Sequence, residues 1–188
     1  MASRKKLRGF GRHLRRHQRW SQALSMPDFD RLAAHHYDYQ KLGLSPWFRH
    51  EQPPLLIRKL WVAHLLACFR RWQQALQARY PQFYLAIWVF EPGFGDSQLV
   101  AGVKDRLKYY ETTFGETVRP LPLPPEYASL PGAADLQWTC RTHLEGFDLE
   151  DFQNSRGLAA KKHRLFQAPG YEEMVMVEMG HVWVGRTR

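Results

Sequence analysis

The stretch PPLLIRKLWVAHLLACFRRWQQALQARYPQFYLAIWVFEPGFGDSQLVAGV, residues 53–103, carries the two patterns that decide the fold. In its first half Ile57, Trp61, His64, Cys68, Trp72 and Leu76 recur at helical spacing on one face, and Leu56, Leu60, Leu65 and Phe69 widen that face. Pro53 and Pro54 can open a helix, because the first turn has no backbone donor to lose, and Pro81 stops it. The spacing predicts a helix over Pro54–Tyr80, with an apolar face broad enough for a central core position. The second half holds two short apolar runs, FYLAIWVFE and QLVAGV, separated by PGFGDS. Aromatic and β-branched runs flanking a Gly/Pro turn predict a β-hairpin.

Downstream, KDRLKYYETTFG reads as a helix ended by Gly115. Residues 117–134 contain Pro120, Pro122, Pro124, Pro125 and Pro131, which excludes regular sheet or helix and predicts a stiff, extended connector. LQWTCRTH alternates Leu136, Trp138 and Cys140 with polar neighbours, as a half-buried strand does. EDFQN predicts a short helical turn, and Lys161, Lys162, His163 and Arg164 a basic loop. EEMVMVEMGHVWVGRTR predicts two short strands turning around Met179-Gly180. Upstream, Asp28 is placed to cap a helix over DFDRLAAHHYDYQKLG that closes at Gly43, and LSPWFRHEQ is a loop. The sum is an α+β fold: an antiparallel sheet of about five strands packed against a long central helix and smaller helices. With 188 residues, 44% of them apolar, the chain suits a single α+β domain over residues 27–188, preceded by a basic N-terminal arm, residues 1–26.

The charge is unevenly placed. Arg4, Lys5, Lys6, Arg8, Arg12, Arg15, Arg16 and Arg19 lie in the first 20 residues with no Asp or Glu among them. Of the 27 basic residues in the chain, 19 remain for the rest, against all 18 acidic ones, so the arm carries nearly all of the net charge of +9. A local cation cluster on a near-neutral body attracts polyanions. The residues between the arginines include Phe10, His13, His17 and Trp20. Guanidinium groups pair phosphate oxygens and aromatic rings stack on unpaired bases, so Phe10 and Trp20 are the stacking candidates.

Arg8-Gly9-Phe10-Gly11 resembles the start of the RNP1 signature of RNA-recognition motifs, which would imply a strand presenting aromatics to bases. Arg12 and His13 occupy the next positions, where that pattern has an aromatic residue and Val, and the segment is basic and helix-like. The arm therefore reads as a phosphate-binding element, with RNA or a ribonucleoprotein ahead of DNA because no DNA-reading motif is present. An Arg-rich, acid-poor beginning also fits an organellar transit peptide. The expectation is nonetheless a cytoplasmic protein, which the widely separated Cys68 and Cys140 and the lack of a secretory apolar core favour, with the organellar reading as its alternative. No run of apolar residues is long enough to span a membrane.

Other residues have the donor types of site chemistry. His64 and Cys68 stand one helical turn apart, and Cys140 and His143 form a C-x-x-H pair, so the four together have the donor types of a zinc site. A simple strand would turn Cys140 and His143 to opposite faces, which argues against it. His13 and His17 sit among arginines that oppose a cation, and adjacent His35 and His36 diverge on a helix. Gly93-Phe94-Gly95 lacks the third glycine of a dinucleotide turn, since Gln98 stands there. Glu145, Asp148, Glu150 and Asp151 read as helix-start and surface carboxylates. No nucleophile is paired with a base, so the expectation is a non-catalytic accessory protein without a cofactor, with an enzyme of unfamiliar design as the third option. Arg119-Pro-Leu-Pro-Leu-Pro-Pro125 resembles an SH3-domain ligand, with Arg119, Pro122 and Pro125 at the matching spacing. The resemblance implies a protein partner, and with the Trp-rich body it supports the rival reading of a protein-interaction module.

Overall fold

The computed structural model describes residues 10–34, 39–48, 52–80, 83–103, 118–119, 121–166 and 174–187. The predicted helix over 104–115 lies outside these residues. The helices are α1 (Phe10–Ala23), α2 (Phe29–Ala33), α3 (Leu55–Arg79), α4 (Pro125–Ala128), α5 (Leu149–Asn154) and α6 (Arg156–Ala159). The strands are β1 (Tyr39–Gly43), β2 (Phe83–Glu91), β3 (Gln98–Val103), β4 (Val118–Arg119), β5 (Leu136–Asp148), β6 (His163–Phe166) and β7 (Met174–Thr187). They form one seven-stranded sheet in the order β1-β3-β2-β7-β5-β4, with β6 also on β7, and every described pairing is antiparallel. The fold is α+β, as the composition and patterning lead one to expect. No helix among the described residues is long and apolar enough to cross a membrane.

The long helix α3 starts on the two prolines, with the amides of Ile57 and Arg58 donating to the Pro54 carbonyl. It buries Ile57, Trp61, Leu65, Phe69, Trp72 and Leu76 against the sheet. Leu56 and Leu60, expected to widen this face, are exposed instead, because α3 meets the sheet along a narrower stripe than its apolar content suggests. The hairpin β2–β3 forms as predicted, turning through Gly93 in the left-handed region (φ 90°) and a short 3₁₀ turn at Phe94–Asp96. β2 reads as an unbroken apolar run because both its faces are buried: Leu85, Ile87 and Val89 face α3, while Ala86, Trp88 and Phe90 join Val182 and Val184 on the opposite face.

Several sequence expectations are corrected. Residues 29–43 are not one helix. A short α2, capped by Asp28 Oδ1 accepting from the Arg31 amide at 3.0 Å, precedes strand β1, whose pairing with β3 overrides the local helical pattern. Residues 35–38, including His35 and His36, lie outside the described part. The proline-rich segment does contain regular structure: β4 pairs with β5, and α4 places Pro125 in its first turn, where proline is tolerated. Its interior is engaged by the body, with Leu123 and Tyr127 buried and Trp183 Nε1 donating to the Pro122 carbonyl at 3.0 Å. His163 and Arg164 belong to strand β6 rather than a loop, because the β7 edge is open to pair with them.

The last segment is one strand, not two. β7 pairs with β5 along its whole length, and Met179 is an extra residue between Gly180, opposite His143, and Glu178, opposite Leu144. Gly180 is the centre of a bulge rather than a hairpin: a Cβ there would lie 2.5 Å from the Glu91 carbonyl oxygen, and its φ is 148°. On its other edge β7 pairs β2 over Arg186–His181 and β6 over Val177–Met174, changing partner at the bulge.

Where β2 ends, the Glu91 carboxylate gathers the surrounding elements. Its Oε1 accepts from Arg58 Nη1 of α3 and from the Tyr127 hydroxyl of α4, and its Oε2 from Gln52 Nε2 at 2.8 Å. Burial, and then the hydrogen bond to Glu91, push the Tyr127 hydroxyl well above its ordinary pKa. Removing the carboxylate would strand a half-buried guanidinium and a buried phenol together. Glu91→Ala is expected to cost about 3 kcal/mol and Tyr127→Phe about 1 kcal/mol, read as shifts of the urea midpoint at constant m-value.

Candidate nucleic-acid interface

At 100° per residue, Arg12, Arg15, Arg16 and Arg19 fall within an arc of about 100° on α1. Phe10, His13, Leu14, His17 and Trp20 fall on the opposite side and meet the core. Arg12, Arg15 and Arg19 are exposed, and the first turn of α1 holds no acidic residue. Arg16 is half-buried and donates through Nη1 to the Trp47 carbonyl at 3.3 Å, so it braces α1 against the turn after β1. Arg4, Lys5, Lys6 and Arg8 lie outside the described residues.

The inner face fixes α1 in place through aromatic packing. Trp20 is 2% exposed, its ring 4.5 Å from Trp61 and 4.9 Å from His64 of α3. A stacking role for Trp20 on a base is therefore corrected: the ring is spent on the core. Phe10, the other aromatic candidate, is half-buried against the same cluster, and it sits with Gly11 in a helix rather than on the strand that an RNP1 reading requires. His13 stacks on Phe48 at 6.1 Å, and His17 lies edge-on to both Trp61 and His64 at 5.1 Å. Burial, helped by the nearby charge of His64, lowers the pKa of His17 to about 4. His64 is lowered as well, by burial and then by Arg71. Both imidazoles are thus neutral members of an aromatic cluster near pH 7.

The four soft ligands are dispersed. His64 faces α1, Cys68 lies in the core with its Sγ accepting from Arg71 Nη2 at 3.4 Å, and Cys140 lies in the core from the side of β5. His143 stands on the other face of the sheet, edge-on to Phe90 at 4.7 Å. Among the described residues no three His, Cys, Asp or Glu side chains are placed to hold a metal ion. Asp148 caps α5, its Oδ1 accepting from the Asp151 amide at 2.7 Å, which is a structural use for the acidic cluster.

The arrangement presents a cationic ridge on a seated helix. Its cationic side was legible from composition; its seating was not, because it depends on Trp47, Phe48, Trp61 and His64, which are remote in sequence. Compared with family models, curated proteins and solved structures, the chain matches none of them.

The histidine cluster sets a pH dependence. A histidine with a lowered folded-state pKa binds fewer protons folded than unfolded, so stability is full above pH 6.5 and falls as pH drops from 6.5 towards about 4. Thermal melts across this window should show a declining midpoint, and His17→Phe should flatten the decline relative to the parent protein.

Proposed function

We propose that the protein is a non-catalytic accessory factor that binds nucleic acid, RNA ahead of DNA, through the outer face of α1. The observation that carries this reading is the division of α1 into a face fastened by Trp20 and a face exposing Arg12, Arg15 and Arg19. A helix held by its apolar side presents its cations at fixed spacing, so less ordering entropy is lost when they meet a phosphate backbone. Arg4, Lys5, Lys6 and Arg8 continue the same charge in sequence. With Trp20 in the core, phosphate pairing rather than base stacking supplies most of the affinity, and sequence preference is weak. The burial of both Cys68 and Cys140, not bridged to one another, supports a cytoplasmic location.

A second reading has its own observation. Leu55, Leu56 and Leu60 are 42%, 56% and 36% exposed at the start of α3, and this favours a protein partner. Fluorescence anisotropy with labelled single-stranded RNA, duplex RNA and duplex DNA over a salt series separates the two. Binding of single-stranded RNA should weaken with salt, and Arg12→Ala/Arg15→Ala/Arg19→Ala should reduce the log–log slope by about 2, at about 0.7 per lost phosphate contact. Protein that binds none of the three at low salt overturns the nucleic-acid reading and leaves the leucine surface as the better one.

A further inference from the structure

The face of the sheet turned away from α3 holds a cavity of about 420 Å³. That lies within the size range of small-molecule sites, roughly 300–1,000 Å³. Trp88, Phe90, Val182 and Val184 form its floor. Lys41 and Gln98 stand on one side, and Arg141 and His143 on the other. These positions follow from register: Gln98 pairs Trp88, Trp88 pairs Val184, and Val182 pairs Arg141, so all project to one face.

One polar group of the cavity is left unsatisfied by the described residues. Among the described residues His143 Nδ1 is buried without a hydrogen-bond partner, a condition that costs stability unless something else satisfies the nitrogen. Burial lowers the His143 pKa, opposed by Asp96 and assisted by Lys161, so the ring is neutral near pH 7 and has one donor and one acceptor. Asp96 and Glu145 also line the cavity. The Glu145 pKa is raised by burial and then by Asp96, with Lys161 opposing. The cavity thus combines an aromatic floor, a donor-and-acceptor edge, carboxylates that can accept from an amino group, and cations at its sides.

We infer that this cavity binds a single nucleotide, with the planar base over Trp88 and Phe90, its polar edge at His143 and Gln98, and its phosphate towards Lys41. Base recognition needs this pairing of aromatic surface with hydrogen-bonding edge, and a phosphate needs the cation beside it. The site stands apart from the outer face of α1 and does not rest on that reading. The two are nonetheless neighbours through one turn. Leu44 and Ser45 line the cavity, while Trp47 and Phe48 of the same turn receive Arg16 and His13 of α1.

Gly43 provides a clean test. It lines the cavity, and a Cβ at this position would meet nothing within 4 Å, so Gly43→Leu fills the space without displacing core atoms. Calorimetric titration of AMP into the full chain should show saturable binding. Gly43→Leu and, separately, His143→Ala should each weaken it by about tenfold or more, with the melting temperature of Gly43→Leu unchanged. Arg12→Ala/Arg15→Ala/Arg19→Ala should bind AMP like the parent protein. Absence of saturable AMP binding, or binding untouched by Gly43→Leu, overturns the inference. Salt-dependent RNA binding without AMP binding overturns this inference alone, whereas AMP binding without RNA binding overturns only the reading of α1.

Discussion

One carboxylate holds the layers of the molecule in register. Glu91 closes β2, and three donors converge on it: Arg58 from α3, Tyr127 from α4 and Gln52 from the segment leading into α3. Gln52 also accepts from the Phe94 amide through Oε1, tying the hairpin turn to the same point. A half-buried charge is tolerable only when its partners are present, so this cluster works as a condition on the arrangement rather than as added attraction. Meeting it fixes where α3 crosses the sheet. That crossing in turn places Trp61 and His64 where α1 can dock, and leaves the far face of the sheet uncovered by α3.

The parts of the fold legible in sequence are those whose cause is local. Helix α3 announces itself through the recurrence of apolar residues after two prolines, and the β2–β3 hairpin through a glycine turn between apolar runs. The strands β1, β4 and β6 were missed because each is short, sits at an edge, and is a strand only by virtue of a partner distant in sequence. Met179-Gly180 looked like a turn because glycine permits both a turn and a bulge. What chooses between them is the approach of Glu91 and Pro92, which is invisible from residues 171–188 alone.

The candidate sites divide in the same way. A charge cluster is a one-dimensional property and survives into the structure as the exposed arc of Arg12, Arg15 and Arg19. The role of Trp20 could not be read that way, since an aromatic residue among arginines is equally consistent with a base-stacking ring and with the anchor of an amphipathic helix. Only the tryptophans and histidines of α1 and α3 taken together decide it. The cavity had no linear signature at all. Lys41, Trp88, Gln98, Arg141 and His143 share a face only after five strands, β1, β3, β2, β7 and β5, have paired in the correct register.

The position of β7 has a consequence for how the chain is made. It is the latest strand in chain order, yet it lies inside the sheet, between β2 on one side and β5 on the other. Without β7, β1, β3 and β2 can form one partial sheet and β5 with β4 another, each with an unpaired edge where β7 belongs. Such edges invite pairing with other chains, and the long sequence separation between β2 and β7 makes their closure slow. The two halves of the sheet are therefore joined only when β7 has paired with both β2 and β5.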